Sequence, residues 1–355
     1  MKRGAKLADV AKAAGVSQGT ASNVFNRPEL VKAEVRERVE AAAKRLGYAG
    51  PDPKGRLLRA GKVNAIGVVI GDETAYCFQD PYTRELMAGI AEVCDQHGAG
   101  VSLISTRQRS EAGWRVQTAL VDGFIVQYGR VRESFVAAVH ERRLPLVSID
   151  LDGGPGTSSV YVDDRQGAYL AARHLLELGH RDIALLALES CLPPRFGDST
   201  VDRLRASEYR FSRERSAGYA AALAERGLAL EALPIVEVPN DRTTGRRYVR
   251  ELLAQQPGTT ALLAMSDVIA LAACDAAREA GLRVPEDLSV VGFDDVAEGA
   301  AAEPPLTTVR QPIAEKGRAA ARLIFSADAP RCQVLPVELV VRGTTAPPRA
   351  AARSG

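Results

Sequence analysis

No window of the 355-residue chain holds the roughly 18 consecutive apolar residues that a helix needs to span a bilayer. Lys2, Arg3 and Lys6 stand at its start, but Asp9 and Lys12 interrupt what would have to be a secretion signal's apolar core, so a soluble cytoplasmic protein is expected. The five cysteines, at 77, 94, 191, 274 and 332, are odd in number and scattered, with no C-x-x-C pair and no histidine at ligand spacing. That pattern fits reduced packing residues rather than a disulfide framework, and no metal or cofactor is expected. No G-x-G-x-x-G follows the first apolar run of the body, which counts against a dinucleotide-dependent dehydrogenase. The G-x-S-x-G at Gly15 to Gly19 resembles the nucleophile elbow of a serine hydrolase, but that device needs a buried strand ahead of the serine. Here Leu7, Val10, Ala11 and Ala14 precede it at helical spacing, so Ser17 stands between two helices and the hydrolase reading fails on context.

Lysine is nearly missing from most of the chain. Seven of the eight lysines fall in residues 1–62, where 14 basic residues face 6 acidic ones; the remainder has 32 basic and 38 acidic residues. A basic block on a mildly acidic body is the footprint of a module that meets polyanions, most often nucleic acid. The block also has apolar residues at helical spacing, so it can bury a small core. One helix is expected over Leu7–Ala14, a second from Gln18 to about Phe25 with Ser17 as its cap, and a third from about Lys32 to Leu46, closed by Gly47. This is a helix-turn-helix, which presents the start of its second helix to the major groove. Gln18 and Asn23 suit base edges, while Ser17, Thr20 and Ser22 suit phosphates. Next, Asp52 to Gly61 has a cap, a proline at the first helical position and a closing glycine, and reads as a short helix. Its Lys54 and Arg56 can hold phosphates while one of its leucines, Leu57 or Leu58, pries open a base step; a plain linker is the alternative.

LADVAKAAGVSQGTASNVFNRPELV, followed by LGYAGPDPKGRLLRAGKVNAIGVVI, resembles the head and hinge of the lactose-repressor (LacI/GalR) family of bacterial transcription regulators. The similarity extends through LLELGHRDIALLA, RERSAGYAAALAERG, MSDVIALAACDAAREAGLRVPEDLSVVGFDD and PPLTTVRQP to VVRGTTAPP. It implies a homodimer whose heads bind a pseudo-palindromic operator, with a hinge helix that folds on DNA and inserts a leucine into the minor groove. The chain departs from the family pattern in places. Lys32 replaces a usual Ser or Thr cap, Gly19 occupies a position that often reads a base, and Gly55 weakens the hinge helix.

In the body, apolar runs at 65–70, 101–105, 124–126, 146–149, 183–188, 234–238, 260–265 and 288–293 alternate with helical stretches such as Thr83–His97, Arg165–Leu178 and Asp267–Ala280. Such alternation means parallel sheets covered by helices, and ligands bind such sheets beyond the strands' carboxyl ends. Asp72, Gln127, Asp150, Ser266, Asp267 and Asp294 sit at those ends. The expected fold is an all-α helix-turn-helix domain (1–50), a hinge (51–64), an α/β core of two doubly wound parallel-sheet lobes (65–345) and a tail (346–355). The first lobe is expected over 65–162 plus 294–324, the second over 163–293 plus 325–345. The resemblance implies a periplasmic-binding-protein-like core, with Gln127, Asp150, Arg215, Ser266, Asp294 and Gln311 at positions that contact effectors. Asp and Arg suit vicinal hydroxyls, and Phe78, Tyr128 and Phe293 are candidates to stack on a sugar face or simply to pack. The segment 189–214 reads as a lid or a solvated insertion. Of three function classes, a regulator responding to a small polar effector, with a sugar the expected class, accounts for head, hinge and cleft together. A periplasmic-type sugar-binding protein leaves residues 1–62 without a use, and an enzyme lacks its motif.

Overall fold

The computed structural model describes residues 5–50, 62–71, 73–106, 112–127, 133–151, 157–191, 193–326 and 332–349. The expectations for Lys54, Arg56, Leu57, Leu58, Asp72 and Tyr128 lie outside these residues. The chain divides into two units, Met1–Val63 and Asn64–Gly355. Among the described residues no helix is long and apolar enough to cross a membrane.

The head is built from α1 (Leu7–Ala14), α2 (Gln18–Asn26) and α3 (Ala33–Leu46). Apolar residues three and four apart put Val10, Ala11, Ala21, Val24, Val39, Ala42 and Ala43 into one small core. Phe25 and Tyr48 close it edge to face, with ring centroids 5.6 Å apart. Gly15 and Gly47 end α1 and α3 in the left-handed conformation, at φ 65° and 67°, where glycine avoids the Cβ penalty. Lys32 supplies no side-chain cap to α3. A 3-10 turn at Pro28–Leu30, which the periodicity does not reveal, joins α2 to α3.

The core contains two sheets. The first consists of β1 (Ala65–Ile70), β2 (Gly100–Ser105), β3 (Gly123–Gln127), β4 (Leu146–Ile149), β5 (Ser158–Val162) and the late strand β12 (Cys332–Leu335), all parallel in the order β12-β5-β4-β3-β1-β2. On one face pack α5 (Pro81–Gln96), entered through the short α4 (Tyr76–Gln79), and α14 (Ile313–Phe325). Val116 of α6 (Ala112–Thr118) and Val139 of α7 (Glu133–Glu141) fill the other face. The second sheet holds β6 (Ile183–Ala187), β7 (Gly197–Asp198), β8 (Ile235–Glu237), β9 (Ala261–Ala264), β10 (Ser289–Asp294), β11 (Thr307–Arg310) and β13 (Glu338–Val340), in the order β13-β11-β10-β9-β6-β8-β7. Its outermost pairs, β13 on β11 and β7 on β8, are antiparallel. Helices α8 (Asp164–Glu177) and α10 (Arg210–Ala224) cover one face, and α11 (Arg242–Gln255) and α12 (Asp267–Glu279) the other.

Strand pairing corrects the expected lobe boundaries. β11 lies beside β10, Thr307 against Val291, so residues 294–311 belong to the second lobe and not the first. β12 lies beside β5, Cys332 against Ser159, so 332–335 returns to the first. The chain therefore crosses between lobes three times, and the N–H of Asp163 in one crossover donates to the carbonyl of Leu335 in another at 3.2 Å. Segment 189–214 is neither lid nor solvated loop. It supplies edge strand β7 and the short helix α9 (Val201–Arg205), whose Val201 and Leu204 are buried. Ser190, Ser199 and Arg203 pin it to the fully buried Glu237, with Ser199 Oγ donating at 2.6 Å and Arg203 Nη2 at 3.1 Å.

In the first lobe, α5 and α14 meet backbone to backbone through two glycines. A Cβ at Gly89 would fall 2.0 Å from the carbonyl oxygen of Ala314, and one at Gly317 would fall 2.2 Å from that of Leu86. Helix propensity favours alanine over glycine by about 1 kcal/mol, but a backbone overlap of this size forces the helices apart, and overpacking costs about 1–3 kcal/mol or more. Gly89→Ala and Gly317→Ala are both expected to lower the melting temperature of the core, measured by calorimetry; an unchanged or raised value would mean that this contact is looser than described.

Candidate functional site

Two surfaces carry the polar chemistry, one in each unit. In the head, Ser17, Gln18, Gly19 and Asn23 are exposed on the first turns of α2, with Thr20 and Ser22 half-buried beside them. Ser17 is the cap of α2: its hydroxyl oxygen accepts the Thr20 N–H at 3.0 Å and lies 2.8 Å from Thr20 Oγ1. A serine so engaged, between helices α1 and α2, is no hydrolase nucleophile. Ser22 Oγ accepts from Asn26 Nδ2 at 3.0 Å, which fixes both side chains on one flank of the helix. Gly19 leaves a gap in this surface, since even a Cβ there would find only Ser17 Oγ, at 3.8 Å.

In the core, the site grows from the strand ends. Gln127 closes β3, Asp150 follows β4, Asp294 closes β10 and Gln311 follows β11. Asp150 and Asp294 take positive φ angles of 56° and 131°, as does Asp295 at 64°, backbone conformations that non-glycine residues hold only where surrounding contacts fix them. The contacts are a chain of hydrogen bonds. Tyr82 of α5 donates its hydroxyl to Asp150 at 2.8 Å. Lys316 of α14 donates to both Asp150 oxygens at 2.9 and 2.8 Å and to Gln311 Oε1 at 2.6 Å. Gln311 then donates Nε2 to Asp294 Oδ1 at 2.6 Å. In the second lobe, Arg215 of α10 donates Nε to Asp164 at 2.9 Å and Nη1 to the Met265 carbonyl, with its guanidinium 3.6 Å above the ring of Phe293. Arg210 shares Asp164 at 3.4 Å and lies 3.8 Å over the ring of Tyr161 in β5.

A second chain spans the lobes. Ser266 caps α12 at the Ile269 N–H and donates to Asn240 Oδ1 at 2.7 Å. Asn240 Nδ2 donates to Tyr76 OH at 3.0 Å and to Asp80 Oδ1 at 3.4 Å. Asp80 in turn caps α5 through Thr83, whose hydroxyl accepts from Gln127 Nε2 at 3.3 Å.

Burial sets the electrostatics. Enclosure raises the carboxyl of Asp294 well above its ordinary range and raises those of Asp164 and Asp80, opposed at the first two by the charge of Arg215. Asp267, fully enclosed behind the strand ends, is pushed up to about 6 by burial, against hydrogen bonds from Thr308 and the Val296 N–H. Polar atoms nevertheless remain open. Gln127 Oε1 is buried without a partner. Among the described residues, Arg215 Nη2 and Asp294 Oδ2 also make no hydrogen bond, although the two groups act on each other electrostatically. One donor group and two acceptors near the strand ends are thus left without a hydrogen bond.

Of the residues expected from sequence, Asp150, Arg215, Asp294 and Gln311 converge on the first chain and its neighbours, and Gln127 and Ser266 on the second. Phe78 sits on α4 with its side chain largely exposed, at 67%. Phe293 is wholly enclosed beneath Arg215 and packs rather than offering a face to a ligand. Lys316, Tyr82, Asp164, Arg210, Asn240 and Asp80 escaped the sequence reading. For Lys316 a signal existed, since it is the single lysine after residue 62.

These features define a helix-turn-helix head attached to a two-lobed ligand-binding core. Residues 6–50 match the family described as bacterial regulatory proteins, lacI family, and residues 172–345 match the periplasmic binding protein-like domain. The chain is 39% identical to an HTH-type transcriptional regulator of Mycobacterium tuberculosis, over 98% of this chain and 99% of that one. It is 32% identical to the HTH-type transcriptional repressor PurR of Erwinia tasmaniensis, over 90% and 89%. The lac repressor dimer bound to operator and the anti-inducer ONPF superposes with a TM-score of 0.75 at 29% identity, covering 97% of this chain and 100% of that one. The transcriptional regulator CelR in complex with cellobiose gives 0.69 at 28%, covering 96% and 99%. The chain belongs to the lacI family of DNA-binding transcriptional regulators.

Arg215 is held in a buried ion pair with Asp164, and this sets what its removal does. Breaking a buried ion pair from one side leaves an uncompensated charge and costs about 3–5 kcal/mol. Arg215→Ala is therefore expected to destabilise the core by that order in urea unfolding, and Arg215→Met with Asp164→Asn to recover most of the loss. Equal stability of the single and double variants would show that the pair is not the reason for the burial.

Proposed function

We propose that the protein is a dimeric cytoplasmic repressor that binds a pseudo-palindromic operator and releases it when a small carbohydrate occupies the cleft between the lobes. The unbonded donor of Arg215 beside the unbonded oxygen of Asp294, with a further unpartnered acceptor on Gln127, carries the effector reading, because hydroxyl groups both donate and accept. Structural relatives solved with cellobiose and with ribose favour the same ligand class, and the PurR relatives favour repression. On the DNA side, Gln18 and Asn23 read base edges, Ser17, Thr20 and Ser22 hold phosphates, and Gly19 lets the backbone approach. Lys54 and Arg56 hold hinge phosphates while Leu58 wedges a base step.

Footprinting is expected to show one two-fold-related site, with affinity falling steeply as salt rises. Gln18→Ala and Asn23→Ala should each cost about 1–3 kcal/mol at particular operator positions and little on random DNA. Equal losses on operator and random DNA would remove both residues from base reading.

A further inference from the structure

Lys316 is the one lysine after residue 62, and it has no exposed surface. Lysine is among the residues least often enclosed, because an ammonium taken out of water needs partners for all three of its protons. Here it has them: both oxygens of Asp150, Gln311 Oε1, and the hydroxyl of Tyr82 at 3.0 Å. It cannot withdraw, since α14 is held against α5 by the glycine contacts at Gly89 and Gly317. Nor can it turn to a ligand anion without breaking its bonds to Asp150. Among the described residues, the cations nearest the strand ends are likewise committed, Arg215 and Arg210 to Asp164 and Arg310 to Asp295 and Glu338. The open edge of Arg215 lies within the field of Asp294.

An incoming phosphate would bring oxygens that only accept to strand ends where, among the described residues, one edge of Arg215 is left to donate beside the carboxylates of Asp164 and Asp294, with Asp150 already bonded to Lys316. A hydroxyl can give its proton to a carboxylate and take one from Arg215. We propose that Lys316 is a built-in counter-ion that sets the charge of the accepted effector at zero: it neutralises Asp150 in advance, so the cleft takes an uncharged polyhydroxylated ligand and refuses its phosphorylated form. Lys316 acts as a positioning and specificity-determining residue, through Asp150 and Gln311. This rests on the reading of the cleft as a carbohydrate site.

The test uses the full-length protein and sugars matched in shape but not in charge: D-glucose, D-glucosamine and D-glucose 6-phosphate, the same set on galactose, D-ribose with D-ribose 5-phosphate, and cellobiose. By calorimetry the wild type should bind a neutral member, with the phosphorylated counterpart weaker by about 100-fold, as like-charge juxtaposition implies. Lys316→Met keeps the length and removes the charge. It should weaken the neutral sugar and shift the preference toward the aminated one by about tenfold, since Asp150 then lacks its cation. Lys316→Met with Asp150→Asn, which removes both charges, should recover the melting temperature and lose the preference for the amine, and it answers for the single variant if that one fails to fold. A phosphorylated sugar bound as tightly as its neutral partner would overturn the proposal, as would an unaltered amine-to-neutral ratio in Lys316→Met. Failure of every sugar in every charge state to bind the wild type would instead overturn the carbohydrate reading, and the charge rule with it.

Discussion

The core depends on an arrangement that is costly when incomplete: carboxylates enclosed at the ends of two sheets, each held by a cation or an amide from another element. Asp150 is answered by Lys316, Asp294 by Gln311, and Asp164 by Arg215 and Arg210. Ions buried without partners are expelled or neutralised, so this network exists only where the lobes and their crossovers bring the partners together. Three consequences follow from the one constraint. Strand-end backbones are held at positive φ. The helices that carry the cations are locked by close contacts. Gln311, in a crossover, joins a first-lobe lysine to a second-lobe aspartate. A polar network spanning a joint is sensitive to anything that competes for its hydrogen bonds. A ligand competing for these bonds would act on the relation of the lobes.

The lobes also touch through two further contacts. Arg84 of α5 reaches Glu298 of the short helix α13 (Ala297–Ala300) at 2.5 Å, and Asn240 reaches Tyr76. The first is an exposed pair of small net worth, whereas the second belongs to a partly enclosed chain leading through Ser266 and Asp80 to Gln127. Two chains of hydrogen bonds thus join the lobes, one through Lys316 and Gln311 and one through Asn240. The open acceptor of Gln127 sits at the end of the latter.

Much of this was legible in the sequence, for physical reasons that can be named. All eight apolar runs became strands within one or two residues, because a strand buried on both faces must be apolar throughout. The strands that escaped, β5, β7, β11, β12 and β13, are short or rich in Ser and Thr, and all five have a terminal or next-to-terminal place in a sheet. Missing β11 and β12 misplaced the lobe boundaries, since the crossovers are defined by where those strands pair. Among site residues, Asp150 and Asp294 could be found because they directly follow or end apolar runs. Lys316, Asn240 and Asp164 could not be found that way. Lys316 lies inside an amphipathic helix, where a lysine normally faces water, and Asp164 reads as an ordinary first-turn acid. The inward turn of Lys316 is a tertiary fact, set by the tight fit of α14 on α5.

Whether the cleft governs the head is a question of linkage. If effector and operator bias one equilibrium, each must change the affinity of the other by the same factor, typically about 5–150-fold. The direct measurement is a calorimetric titration of the effector into free protein and into protein saturated with operator. The account predicts two different dissociation constants, with the ratio matching the loss of operator affinity caused by saturating effector. Identical constants in the two titrations would contradict it.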